Sequence, residues 1–260
     1  MQHKWYRVVT LNALLSLGIA CSGAVIAQAE NNQANISVNA QRAAKLTRPY
    51  HADYILSRRG RTHGNAGRTL TAAVDGTWTY QTFTDASLLI FSDRRAHETN
   101  FRIVGDRVVP LAFQYNRTGT GSGQFFAVVF DYANKKLVQQ ADSSLEAEWK
   151  EGLLDSNAVL HQLQIDVAGS NSGIGAEWTY QLIDERGRNT EYTFRSMGYE
   201  TVQVPYGTMD TIRVMRVRET DRRETYFWFS PLHNYSLVQM QQLKEGKEQA
   251  KLMLRTLEYN

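Results

Sequence analysis

The 260-residue chain carries 29 Lys and Arg against 26 Asp and Glu, a formal net charge of +3, and a single cysteine among 42% hydrophobic residues. Charges this closely balanced leave no electrostatic footprint for nucleic acid or an anionic membrane face. One cysteine cannot close an internal disulfide, so an ordinary core must hold the fold, and this length can supply one as a single large domain or two joined sheets.

The first 29 residues set Lys4 and Arg7 ahead of an apolar run, Val8 to Ile26, that exits through Ala27-Gln28-Ala29. That is the layout of a secretory signal peptide with cleavage after Ala29. The run is near the minimum length for a membrane span, but Asn12, Ser16, Gly18, Ser22 and Gly23 dilute it, so a cleaved signal is favoured over a retained anchor. Gly18-Ile19-Ala20-Cys21 makes a poor lipobox, because Gly18 stands where a large aliphatic residue belongs, so soluble export to the periplasm is favoured over lipid anchoring at Cys21. Cleavage removes the only cysteine and with it thiol catalysis and thiolate metal sites.

Residues 30–48, rich in Asn, Gln, Ala and Ser, read as a flexible leader or a poorly formed helix ahead of one β-rich domain over 49–260. An aromatic and aliphatic strand starts at Tyr50 and runs into a glycine-rich turn, Gly60 to Gly67; Arg68 to Val74 returns as a second strand. Asp75-Gly76 signals a tight hairpin into Thr77–Phe83, which alternates polar with aromatic residues. Further strands are predicted at Ser87–Ser92, His97–Val104, Val108–Tyr115, Gln124–Tyr132 and Leu137–Gln140, with a flexible connection over 119–123.

Asp155-Ser156 offers an N-cap, and Val159, Leu160, Leu163 and Val167 recur at helical spacing, which predicts a helix over 156–168. Strands resume at Glu177–Asp184, Thr190–Ser196, Glu200–Val204, Thr208–Glu219 and Glu224–Ser230. Tyr235 to Tyr259 favours helix on propensity, yet Gly246 at its midpoint and the shared face of Leu252, Leu254 and Thr256 predict a hairpin around Glu245-Gly246-Lys247. The fold class is mainly β: a strongly curved antiparallel sheet, a half-barrel or sandwich-like meander, with one short helix. Pro110 and Pro205 suit strand starts or edges.

Four elements in order, Tyr50-His51-Ala52-Asp53-Tyr54, Gly105-Asp106-Arg107-Val108-Val109-Pro110-Leu111, Gly198-Tyr199-Glu200-Thr201 leading to Pro205-Tyr206-Gly207-Thr208, and Tyr226-Phe227-Trp228-Phe229-Ser230-Pro231, resemble the bacterial envelope family filed as domain of unknown function 3108. The resemblance implies an exported β-rich protein and brings no catalytic residues with it.

Catalytic motifs are thin. Gly169-Ser170-Asn171-Ser172-Gly173 has Asn where a nucleophile elbow needs Ser. His51, His63, His97, His161 and His233 show no metal-ligand spacing, and the acids Asp53, Glu98, Asp131, Glu177, Glu200 and Asp210 could form a hydrolytic pair only in space. No cofactor and no metal is implied. The arginines Arg58, Arg59 and Arg61, Arg94 and Arg95, and Arg213, Arg216, Arg218, Arg222 and Arg223 read either as a face gripping phosphate or carboxylate groups or, preferred here, as solvated edges and turns interleaved with Glu219, Asp221 and Glu224. The expectation is a non-enzymatic periplasmic protein that binds an envelope lipid, glycan or partner protein, with Tyr54, Trp78, Tyr80 and Trp228 as ligand-binding candidates. A carboxylate-pair cell-wall or glycan hydrolase and a module pairing through a sheet edge are the alternatives.

Overall fold

The computed structural model describes residues 28, 33, 35, 37–88, 91–140, 145–169 and 173–260. The predicted signal peptide, with Cys21 and the cleavage position Ala29, therefore lies outside the described residues apart from Gln28. Two units are distinguished, Met1–Val38 and Asn39–Asn260. Described residues of the first are helical, and everything below concerns the second.

The chain from 37 to 46 is a helix, α1, the second of the two alternatives expected for this stretch, and it adds one helix to the single one predicted. Gln41, Arg42, Ala43, Ala44, Lys45 and Leu46 are all strong helix formers, and Ala43 with Leu46, three positions apart, is enough to bury one side. Fourteen strands follow: β1 (Tyr50–Arg58), β2 (Arg61–Ala72), β3 (Trp78–Leu88), β4 (Phe91–Val104), β5 (Arg107–Gly119), β6 (Gln124–Asp131), β7 (Lys136–Gln139), β8 (Leu154–Asp155), β9 (Glu177–Ile183), β10 (Asn189–Val204), β11 (Gly207–Val217), β12 (Arg223–Ser230), β13 (Ser236–Lys244) and β14 (Lys247–Tyr259). A helix, α2 (Ala158–Gly169), lies between β8 and β9.

The strands form one sheet in the order β7-β6-β5-β4-β3-β2-β1-β14-β13-β12-β11-β10-β9-β8. Every neighbouring pair is antiparallel except β8 with β9. The meander is closed on itself in the middle, where the first strand pairs with the last, Tyr50 opposite Tyr259. Hairpin ends therefore alternate between two rims. An upper rim carries turns 59–60, 120–123, 184–188, 218–222 and 245–246, and a lower rim carries 73–77, 105–106, 205–206 and 231–235.

α2 lies against the inner face of the curve, toward the lower rim. Asp155 caps it: Oδ1 accepts hydrogen bonds from the backbone N–H groups of Asn157 and Ala158 at 2.9 and 2.8 Å and from the Thr99 hydroxyl at 2.8 Å. Its polar residues are buried but satisfied. Gln162 accepts from the Val108 N–H at 2.7 Å and donates to the Asp106 carbonyl, and Gln164 donates to the Asn234 carbonyl. The helix thus has no polar face turned to water, which is why its residues from Val159 to Val167 are nearly all buried.

The two ends of the sheet meet along a seam. Ile183 of β9 packs with Phe113, Phe126, Val128 and Phe130 of β5 and β6, under Leu145, Ala147 and Trp149. The Gln124 side chain donates to the Glu185 carbonyl at 2.6 Å, and both Glu146 and Ala147 donate their N–H to the Gly187 carbonyl.

Some predicted boundaries are corrected. The predicted strand Ser87–Ser92 is divided between two strands, Ser87 and Leu88 ending β3 and Phe91 and Ser92 beginning β4, with Ser87 opposite Ser92 and Leu88 opposite Phe91. The stretch 60–67 is not one loop, since only Arg59-Gly60 turns and β2 begins at Arg61. Thr190–Ser196 and Glu200–Val204 are one strand, β10, with an irregularity between Ser196 and Gly198. Pro110 sits inside β5 beside the bulge at Asn100/Phe101, where its missing N–H costs no ladder bond.

Candidate functional site at the upper mouth

Side chains alternate along each strand, so the inner face can be followed from lower to upper rim. On β11 it reads Ile212, Val214, Arg216 and, just past the strand, Arg218; on β4, Phe101, Thr99, His97, Arg95 and Asp93; on β5, Phe113, Tyr115 and Arg117. The lower positions are buried, whereas Arg216, Arg218, Arg95, Asp93 and Arg117 are partly or fully exposed. On β1, β3 and β14 the inner positions Leu56, Ala86 and Ala250 are apolar and line a cleft of about 320 Å³ together with Arg58, His63, Asp93, Gln249 and the hydroxyl side chains of Ser57, Ser87, Ser92 and Thr120. The mouth therefore combines an apolar strip with cationic walls. α2, held by Asp106, Val108 and Asn234 near the lower rim, fills the other end.

The arginines of the mouth differ in their partners. Arg95 and Arg117 both reach Asp93, at 2.7 and 2.9 Å, and Glu185 lies 3.4 Å from His97. Arg216 and Arg218 have no carboxylate within ion-pair distance among the described residues. The Arg216 guanidinium lies on the Tyr192 ring, 3.2 Å from its centroid, and its Nε–H is buried with no acceptor. Arg218 donates to the Arg223 carbonyl and the Thr225 hydroxyl, both at 3.2 Å. Burial, together with the adjacent Arg216 charge, pulls the Arg218 pKa down to about 10.

Glu185 joins the two walls. Its charge is felt by Arg95 and Tyr115 on one side and by Tyr192 and Arg216 on the other. Burial works to raise its own pKa, but the hydrogen bond from His97 and backbone donors outweigh it and hold it at about 2. The mouth thus keeps Glu185 charged and still has more arginine than carboxylate.

The four residues singled out from sequence do not come together. Tyr54 and Tyr80 are fully buried side by side in the inner core: the Tyr54 hydroxyl donates to the Leu237 carbonyl, and the Tyr80 hydroxyl accepts from the buried Arg68 guanidinium at 2.7 Å. Trp78 is partly buried where β3 starts, at the lower rim. Trp228 is on the other face of β12 from Phe227, its indole N–H donating to Glu200 at 2.9 Å beneath Arg213. The acids considered for a hydrolytic pair are each occupied separately: Asp53 with Arg255 and Thr256, Glu98 with Gln81, Asp131 with Asn134, Glu177 with Arg195, Glu200 with Arg213, and Asp210 with Thr201. Among the described residues no three His, Asp or Glu gather as a metal site, and no helix is long and apolar enough to cross a membrane. Arg216 and Arg218 were legible as a two-residue repeat on a predicted strand, but their sequence neighbours Glu219, Asp221 and Glu224 masked the local surplus of charge.

A strongly curved, barrel-like antiparallel sheet with a helix in its lower lumen defines the class of protein. Within it, the chain belongs to the family described as protein of unknown function DUF3108, matched over residues 50–255. Among solved structures, the chain is similar to a β-barrel-like protein of domain of unknown function DUF1849 from Brucella abortus, with a TM-score of 0.53 at 10% identity over 82% of this chain and 98% of that one. It also matches an exported protein with a YmcC-like fold from Bacteroides fragilis (TM-score 0.33, 13% identity, 80% and 95% covered) and a lipoprotein from Parabacteroides distasonis (0.32, 12%, 82% and 96%). At these identities the first likeness shows the fold alone. No curated protein matches the sequence.

Proposed function

We propose that this is an exported, non-enzymatic envelope protein that binds a partly apolar ligand in the upper mouth of its curved sheet. One observation carries the reading: α2 and the aromatic core fill the lower lumen, while the inner positions above them, Leu56, Ala86 and Ala250 among them, line a cleft of about 320 Å³. Ligand sites are concave and combine apolar surface with polar groups that set orientation, and the cleft sets these apolar side chains among polar and charged ones. The basic start and small-residue exit of the first 29 residues support delivery to the periplasm.

A sheet-edge partner is less favoured, since the two edges are short, four residues in β7 and two in β8. The test is native mass spectrometry of the protein recovered from the periplasm, set beside fluorescence titration with an uncharged alkyl probe such as dodecyl maltoside. Bound amphiphile, or saturable probe binding that Ala250→Glu abolishes, is the expected result. A protein that carries nothing and binds no probe would overturn the proposal.

A further inference from the structure

We infer that the mouth selects an anionic amphiphile, with Arg216 and Arg218 gripping its phosphate or carboxylate head while the strip of Leu56, Ala86 and Ala250 takes the chain. The inference rests on the binding reading above and adds the charge of the ligand.

Three features carry it. First, Arg216 on the inner face of β11 and Arg218 just past its end follow Ile212 and Val214, so the change from apolar to cationic occurs along one short run of chain. Second, neither arginine has a carboxylate within ion-pair distance among the described residues. The two acids on the inner face of the mouth are engaged by other groups, Asp93 by Arg95 and Arg117 and Glu185 by His97, and the Arg216 Nε–H is buried without an acceptor. Bringing two guanidiniums together at a partly desolvated surface costs free energy unless an anion accompanies them. A phosphate or carboxylate offers planar or tetrahedral oxygens that a guanidinium fork meets in two parallel hydrogen bonds. Third, the Arg216 guanidinium is seated on the Tyr192 ring, 3.2 Å from its centroid, so the cation is held in place at the mouth, and the apolar strip opens on the same upper rim.

Calorimetric titration of the purified protein with dodecyl phosphate, laurate, dodecyl maltoside and inorganic phosphate tests the inference. The expected order is dodecyl phosphate or laurate tighter than dodecyl maltoside by roughly tenfold or more, with inorganic phosphate weakest. Dodecyl phosphate ahead of laurate assigns the head to phosphate, and the reverse order assigns it to carboxylate. The double variant Arg216→Gln/Arg218→Gln should lose about tenfold or more toward the anionic probes and leave dodecyl maltoside unchanged. Arg216→Lys/Arg218→Lys should recover part of the loss. Should the glutamine variant fail to fold, the wild-type salt dependence serves instead: anionic binding weakens as salt rises and maltoside binding does not. Equal affinity for charged and uncharged probes, or undiminished dodecyl phosphate binding by a folded glutamine variant, overturns the anionic selection and leaves the apolar binding reading standing. Absence of binding by all three alkyl probes overturns both.

Discussion

Two residues at the start of α2 titrate against each other. Burial lifts Asp155 to about 7 despite the donors at Ala158, Thr99 and Asn157, and burial drops His161 to about 4 despite its contact with Gln164. For Asp155 the folded pKa lies above the unfolded value of about 3.9, so stability is highest at low pH and falls as pH rises from about 4 through 7. For His161 the folded pKa lies below the unfolded value of about 6.5, so its contribution is present above that pH and is lost as pH falls through about 4. Between about pH 4 and 6.5 the two slopes oppose, with Asp166, also raised chiefly by burial, adding to the Asp155 side. Urea midpoints measured from pH 4.5 to 7.5 should therefore change little in the parent protein. Asp155→Asn keeps the Oδ1 acceptor and should unmask the histidine, making the protein weaker on acidification. His161→Gln should unmask the aspartate, making it stronger on acidification. Parallel curves for all three proteins would refute the account. Asp155→Ala, which removes the cap, should cost about 1–2 kcal/mol near pH 4 and less as pH rises through 7.

At the scale of elements, two glycines with positive φ make different predictions. Gly64 (φ +156°) opposes Leu56 next to the β2 bulge at His63, and a Cβ there would overlap the Asp85 carbonyl oxygen of β3. Gly246 (φ +71°) turns the last hairpin with open space around it. Gly64→Ala should cost about 2–3 kcal/mol, because the β3 backbone must move, and Gly246→Ala only about 1 kcal/mol, the cost of the conformation itself. Thermal melts decide the matter, and equal losses would show that the close approach to Asp85 is unimportant. These elements also show what a sequence can disclose. Asp75-Gly76, the cap at Asp155 and the hairpin at Glu245-Gly246-Lys247 were legible because local chemistry dictates each of them. Which face a residue occupies was less so. The β1–β14 register shifts between Asp53 and Tyr54, so the buried series is Leu252, Leu254 and Leu257, and Thr256 instead bonds Asp53 at 3.0 Å. In the same way the arginine run is divided, Arg213 against Trp228 and Glu200, Arg222 with Glu245, and only Arg216 and Arg218 turned inward. Bulges and pairing partners far away in the chain set that division, and neither leaves a local mark.

For the sheet as a whole, the seam is the place where curvature is completed without a continuous ladder. Elsewhere neighbouring strands exchange backbone hydrogen bonds along their lengths, but between β6 and β9 the closure depends on side chains and on the strap 145–153. Trp149 meets the Tyr132 ring edge-on at 4.9 Å, and Tyr132 in turn donates to the Pro110 carbonyl at 2.9 Å, so the strap is tied to β5 through one aromatic pair. The central pairing of β1 with β14 stands apart from this closure, with Tyr54 bonded to Leu237 and Leu254 wholly buried. Local opening should therefore begin at the seam, where the fewest backbone bonds must break. Trp149→Ala should raise amide exchange in the strap, in β9 and in the inner half of β6 by an order of magnitude or so while leaving β1, β13 and β14 at parent rates. If exchange rises in all strands together, the variant has lowered global stability and the seam is no separate unit. If only the seam responds, the upper mouth has a wall that can part while the rest of the sheet stays folded.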